Sequence, residues 1–390
     1  MPFSLFACGS NGGYQLGVGN SKDRHEAEKV KFKIGPQTTT ELSQPIKAMS
    51  FGGNHSLALL EDGTLIGSGS NSEGQLFCQK DFKQLPAFVP IESVHNVEIR
   101  RIACGWEFSV AENVDGEIIV CGYGPNGELG LGKESRLDTN TCLFRKLPFN
   151  TNSKGGIKQL CTSIHSVIVV FNNGDVYGWG NNKRGQLFAH NGDRKLKQVR
   201  EPHKIEFPGN RRVVAVCMGR DFTVFMTTDK DNELLIPIFR GKDNFNIESG
   251  LRKLKIDREH FVWMQATWTS VQILTRDKHI LSIGSNTKCQ HFPEMTNSDA
   301  SIDLAAVGSE HGVCTSINES RSKAYAWGWG EHGNCGKTLE NTVTAEKHAK
   351  DTFDHLNAIY ETQNNEKITR VFAGCATSFV EVERDNRKEK

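Results

Sequence analysis

Hydrophobic and polar positions alternate along this chain in short bursts. An apolar run of about six residues ends in an Asp-, Asn- or Gly-rich turn, and a second apolar run starts two or three residues later. The first runs read FGGNHSLALLEDG (51–63), ACGWEFSVAENVDG (103–116), CTSIHSVIVVFNNG (161–174), CMGRDFTVFMTTDKD (217–231), ATWTSVQILTRDK (266–278), VGSEHGVCTSINES (307–320) and FAGCATSFVEVERDN (372–386). The second runs read FACGSNGGYQLGVG (6–19), IGSGSNSEGQLF (66–77), IVCGYGPNGELGLG (119–132), VYGWGNNKRGQLF (176–188) and AYAWGWGEHGNCG (324–336), with two worn copies at 236–246 and 280–292. Two β-rich runs split by a tight turn predict a hairpin.

The glycines of the second runs, Gly9, Gly69, Gly122, Gly180, Gly241, Gly284 and Gly328, are spaced 43 to 61 residues apart. A period near 50 built of hairpins predicts a seven-bladed β-propeller. The chain opens inside a unit, with a second-type strand at 5–8, and ends on a first-type strand at 371–382. Joining the two completes one blade and closes the ring, which removes the exposed edges of an open array. The expected organisation is one propeller domain over 1–384 and a charged, flexible tail at 385–390. The stretches 20–45, 133–156, 189–211 and 247–259 read as blade connections and outer strands. In 344–362, Ala349, Phe353, Leu356 and Tyr360 recur at helical spacing, so an inserted helix is expected there.

Composition narrows the class. Gly accounts for 38 of 390 residues, above the usual share of about 7%, which fits many turns. A net charge of +1 gives no global case for a polyanionic partner. No apolar run approaches 18 residues, and MPFSLFACGS lacks the pattern of a secretory signal. Eleven cysteines without a Cys-x-x-Cys pair fit free thiols in a reducing compartment, hence an expected cytoplasmic and nuclear location.

Candidate chemistry lies at one mouth of the ring. The His-Ser-type runs are expected to be the innermost strands, and the pairs that enter them are Gly53-Asn54, Trp106-Glu107, Ser163-Ile164, Arg220-Asp221, Thr267-Trp268, Ser309-Glu310 and Cys375-Ala376. A purely structural repeat would keep them alike, yet they include Trp, Glu, Asp and Arg. Exposed Trp beside charge is the material of binding hot spots, so Trp106, Glu107, Arg220, Asp221, Trp268 and Glu310 are candidate partner-binding residues. The competing reading packs each Trp between blades. Trp179 and Trp327 fit that packing position, whereas Trp329 is an extra aromatic in its turn. Trp329, Glu331 and His332 therefore join the candidates. The histidines His55, His165 and His311 read as interstrand hydrogen-bonding groups rather than as catalysts. His332 and Cys335 form a His-x-x-Cys pair without the further ligands that zinc needs. The Gly122–Gly127 glycines have dinucleotide-loop spacing but open no helix. No catalytic, metal or cofactor site is expected, and local basic loops such as Lys183-Arg184 read as solvated.

The alternating motifs resemble the repeats of the regulator-of-chromosome-condensation family of seven-bladed propellers along nearly the whole chain. The segments 218–222, 268–270, 308–312, 328–336 and 372–379 resemble more narrowly the fungal alpha-tubulin-suppressor, or killer-toxin-insensitivity, propellers associated with Elongator. That resemblance implies a non-enzymatic partner of the small CSL-type zinc/iron protein of the diphthamide pathway. It further implies that the pair supports Elongator-dependent tRNA wobble-uridine modification, with Elongator as an indirect partner, and the first step of diphthamide synthesis. Direct nucleic-acid binding is not expected, because the basic loops read as solvated. The alternative is a guanine-nucleotide exchange factor for the Ran GTPase, whose loops of this kind contact the GTPase. A basic N-terminal tail is not seen before the first strand, and two blades are degenerate, which weighs against the exchange factor. An adaptor of ubiquitin ligases or kinases is a third reading.

Overall fold

The computed structural model describes residues 1–79, 82–94, 97–137, 143–188, 196–228, 234–293, 302–316, 322–337, 351–363 and 365–385. Seven sheets follow one another along the chain as the blades of a propeller. Blades one to six begin at Ile46–Phe51, Ile99–Cys104, Ile157–Thr162, Arg212–Met218, Phe261–Ala266 and Ile302–Val307. The seventh joins both ends of the chain. Glu366–Ala373 and Thr377–Arg384 pair with each other, Phe3–Gly9 pairs with Thr377–Arg384, and Arg24–Lys29 completes the sheet. Closure by the terminal strands is therefore as expected, with two strands from each end. Residues 386–390 of the expected tail lie outside the described residues.

The innermost strand of each blade is not the His-Ser strand but the one before it. The first runs of the sequence pattern are second strands, such as His55–Leu60, and the Gly-rich runs are third strands, such as Leu65–Ser70. Inner strands are hard to see in the sequence because each carries a β-bulge, which breaks two-residue alternation. In all seven, one residue is left over opposite the second strand: Lys47, Arg100, Lys158, Val214, Val262, Asp303 and Thr369.

Packing follows from stacked blade faces. The second strands of blades one, two and three are buried along their whole length. One apolar cluster runs from Leu57 in blade one to Phe225 in blade four, and others continue the seams around the ring. The two worn sequence copies correspond to blades four and five, which have three strands each among the described residues. The helix α1 (Ile247–Lys253) follows the third strand of blade four and buries Ile247 and Leu251 between the two blades.

The expected helix at 344–362 is replaced, where it is described, by a strand. Thr352–Glu361 is the fourth strand of blade six, paired antiparallel with Lys323–Trp329. Two register shifts, between Ala324 and Tyr325 and between Ala326 and Gly328, interrupt the pairing. Those shifts give Phe353, Leu356 and Tyr360 spacings of three and four, which imitate a helix. Ala349 lies outside the described residues.

Candidate functional site

Each inner strand ends in a four-residue turn closed by a backbone hydrogen bond. The amides of Gly52, Gly105, Ser163, Gly219, Thr267, Gly308 and Gly374 donate to the carbonyls of His55, Phe108, Ser166, Phe222, Ser270, His311 and Thr377 at 2.8–3.0 Å. These turns ring one mouth of the central channel. Their middle residues are Gly53-Asn54, Trp106-Glu107, Ile164-His165, Arg220-Asp221, Trp268-Thr269, Ser309-Glu310 and Cys375-Ala376. Blades three and five thus differ by one position from the sequence-based pairing. The same shift places Ser166, not His165, at the position of His55 and His311, opposite the repeat glycine.

The first middle residues form a collar. Gly53 N–H donates to Trp106 O (3.0 Å), Trp106 N–H to Ile164 O (3.0 Å), Arg220 N–H to Trp268 O (3.1 Å), Trp268 N–H to Ser309 O (2.7 Å) and Ser309 N–H to Gly374 O (2.9 Å). Below the collar lies a channel cavity of about 490 Å³, lined by inner-strand residues including Met49, Met218 and Met264. Its polar wall groups tie neighbouring blades together. Gln159 exchanges bonds with Val216 (2.7 and 2.9 Å), Ser50 Oγ accepts from Cys104 N–H (2.8 Å), and Gln265 Oε1 accepts from Val307 N–H (2.9 Å).

Trp106 and Trp268 come from blades two and five and meet across the mouth. Their ring centroids lie 6.1 Å apart with planes at 51°, and both are half-buried. The Trp106 ring also covers Gly53, where a Cβ would come within 2.9 Å of it. Glu107 is half-buried, and its carboxylate has no polar partner among the described residues. Arg220 is exposed, with Asp221 at 3.6 Å, and Asp221 also faces Arg184 at 3.9 Å. These five candidates share one surface.

Glu310 does not belong to that surface. It is buried and accepts from Thr269 Oγ1 (2.8 Å) and Gln290 Nε2 (3.0 Å) of the preceding blade. Burial raises its carboxyl pKa, opposed by those bonds and by the charge of Arg220. Its carboxyl fastens blade five to blade six. Trp329, Glu331 and His332 lie on the same face but farther from the axis, Trp329 at the end of the third strand of blade six and the other two in the loop that follows it. The Lys288 ammonium sits 4.8 Å from the Trp329 ring centroid, and His332 Nδ1 lies 2.8 Å from Asp23 Oδ2. Glu331 is exposed. Cys335 is buried and donates to Trp327 O (3.4 Å), so it faces away from His332.

The histidines separate into two kinds. His55 Nε2 lies 2.9 Å from Ser109 Oγ, and His311 Nε2 lies 3.1 Å from Ser378 Oγ, each in the next blade. Burial pushes their pKa values down to about 3 and about 4. His165 is instead half-exposed at the mouth, with Nδ1 3.0 Å from Glu128 Oε1. Cys375, half-buried at the collar, has its thiol pKa pushed up to about 11 by burial, so it is protonated at neutral pH. Trp179 and Trp327 are fully buried and donate to Glu128 O (2.8 Å) and Gln290 O (3.1 Å) of the preceding blade. Their packing assignment holds.

The comparisons with known proteins agree with this architecture. Family models described as regulator of chromosome condensation (RCC1) repeats match residues 4–59, 173–226 and 46–75. The chain is a seven-bladed propeller, and residues 4–75 and 173–226 of it match RCC1 repeats. An RCC1 repeat-containing protein of Schizosaccharomyces pombe is 26% identical over 98% of this chain and all of its own length. The Bos taurus secretion-regulating guanine nucleotide exchange factor is 24% identical over 88% of this chain and 78% of its own. Among solved structures, Prp20p of Saccharomyces cerevisiae superposes with a TM-score of 0.71 at 18% identity, covering 100% of this chain and 93% of that one. Human WBSCR16 superposes at 0.70 and 13% identity, covering 98% and 99%.

Proposed function

We propose that this propeller is a non-enzymatic docking scaffold whose collar face holds a small CSL-type zinc/iron protein of the diphthamide pathway. The pair would support diphthamide synthesis and Elongator-dependent tRNA wobble-uridine modification in cytoplasm and nucleus. The observation that carries docking at this face is the Trp106–Trp268 pair, half-exposed over the channel beside the unpartnered Glu107 and exposed Arg220. A preformed aromatic platform rimmed by accessible charge supplies both buried area and specificity. The identity of the partner rests on the resemblance of segments 308–312, 328–336 and 372–379 to the Elongator-associated propellers.

A second reading is guanine-nucleotide exchange on a Ran-type GTPase. It is favoured by the bovine relative, which is named as an exchange factor and aligns over 88% of this chain. Co-purification with the small metalloprotein, beside a nucleotide-release assay on Ran, separates the two. The scaffold reading expects a one-to-one complex, no release activity, and a loss of about 2 kcal/mol or more of binding on Trp106→Ala or Trp268→Ala. Accelerated release without complex formation would replace it with the exchange factor.

A further inference from the structure

The bulged residues define the other mouth of the channel. Each lies five positions before its blade's turn, so the seven share one level of the ring. Blades one to three place Lys47, Arg100 and Lys158 there in succession. Blades four and five place Val214 and Val262, and blades six and seven Asp303 and Thr369. Lys158 crosses the gap to blade four, where its Nζ donates to the Val213 carbonyl at 3.1 Å. Burial and the nearby charge of Arg258, which enters blade five, both lower its pKa. Lys47 is exposed and has no ion pair among the described residues. Among the described residues none of these cations has an ion pair with a carboxylate, and their like charges stand together at the rim of the channel, where their potentials add.

We propose that this second mouth docks an acidic polypeptide segment, with Lys47, Arg100, Lys158 and Arg258 receiving its carboxylates. The inference is independent of the partner proposed for the collar face, because the Trp106–Trp268 pair spans the opposite mouth. Carboxylates outside the rim favour a peptide over a nucleic acid. Glu61, Asp62, Glu98 and Asp115 are all exposed on the loops around blades one and two. A nucleic acid lying across this face would meet them with its phosphates, whereas a single extended acidic chain can reach the rim between them.

The test is fluorescence anisotropy of a labelled oligoglutamate peptide against the full chain. Saturable, salt-sensitive binding is expected. It should weaken about tenfold in Lys158→Gln/Arg258→Gln, the product of two partly screened pairs, and stay unchanged in Trp106→Ala. If the double variant unfolds, Lys47→Glu serves in its place, since an exposed, unpaired side chain leaves the fold intact. Absence of binding, equal binding by the folded variants, or displacement by a single-stranded oligonucleotide of equal charge at a lower concentration than competing peptide would overturn the proposal.

Discussion

Seven glycines show what a repeat position is for. Gly9, Gly69, Gly122, Gly180, Gly241, Gly284 and Gly328 all hold φ between 97° and 117°. A Cβ at Gly180 would stand 2.4 Å from His165 O, and the other six meet the equivalent turn carbonyl just as closely. Sequence spacing therefore located these positions, although only the fold gives the close backbone approach that excludes a side chain. The buried histidines yield a prediction at this scale. His55 and His311 stay neutral in the fold down to about pH 3 and 4, whereas the unfolded chain takes up their protons near 6.5. As pH falls below 6.5 the unfolded state binds more protons than the folded one, so stability falls with it. At pH 5 each histidine costs about 2 kcal/mol relative to pH 8. Urea midpoints at pH 8 and pH 5 should differ by less in His55→Gln than in the parent chain. An undiminished difference would place the acid sensitivity elsewhere.

At the scale of the element, the residue before six of the seven repeat glycines, all but Ile283 before Gly284, joins neighbouring blades through a side-chain hydrogen bond. Trp179, Trp327, Cys121 and Ser68 donate to the carbonyls of Glu128, Gln290, Gln75 and Tyr14 in the preceding blade's loop. The sequence shows this position only as a Trp-Gly or Cys-Gly pair, because very different side chains share the single task of donating one bond. In the worn fourth blade the donor is Arg240. Its guanidinium bonds Leu187 O and Glu206 O, both at 2.8 Å, and lies 5.1 Å from the Phe207 ring centroid. Arg240→Ala should lower stability by about 2–3 kcal/mol, since two carbonyls lose a charged donor and a ring loses its cation. Arg240→Lys should not restore it, because an ammonium lacks the planar fork. Thermal unfolding of both variants checks this, and a Lys variant as stable as the parent would contradict it.

At the scale of the whole molecule, closure is the constraint that makes one body of seven sheets. Phe3–Gly9 pairs with Thr377–Arg384 along its whole length, and the buried Glu381 Oε1 accepts from the Ile46 amide of blade one at 2.6 Å. A chain lacking residues 1–29 would leave Thr377–Arg384 as an open edge, ready to pair with another molecule. It should lose a single cooperative thermal transition and elute as larger species on size exclusion. A monomeric, cooperatively melting truncation would show that the ring does not depend on this seam.

The sequence by itself determined the period, the number of blades, the mode of closure and the turn glycines. Each of these is written in local chemistry, as apolar runs and turn residues that recur at fixed offsets. It also ranked the packing tryptophans Trp179 and Trp327 correctly. It did not separate Trp106 and Trp268, which meet across the axis, from Glu310, which turns into a seam, because neighbouring positions in a turn point to opposite environments. The one-residue shifts in blades three and five, the inner strands with their bulges, and the strand in place of a helix at 352–361 were decided by the tertiary structure alone. Register against a partner strand fixes which residue faces the channel, and that partner is distant in the chain, so no local pattern records it.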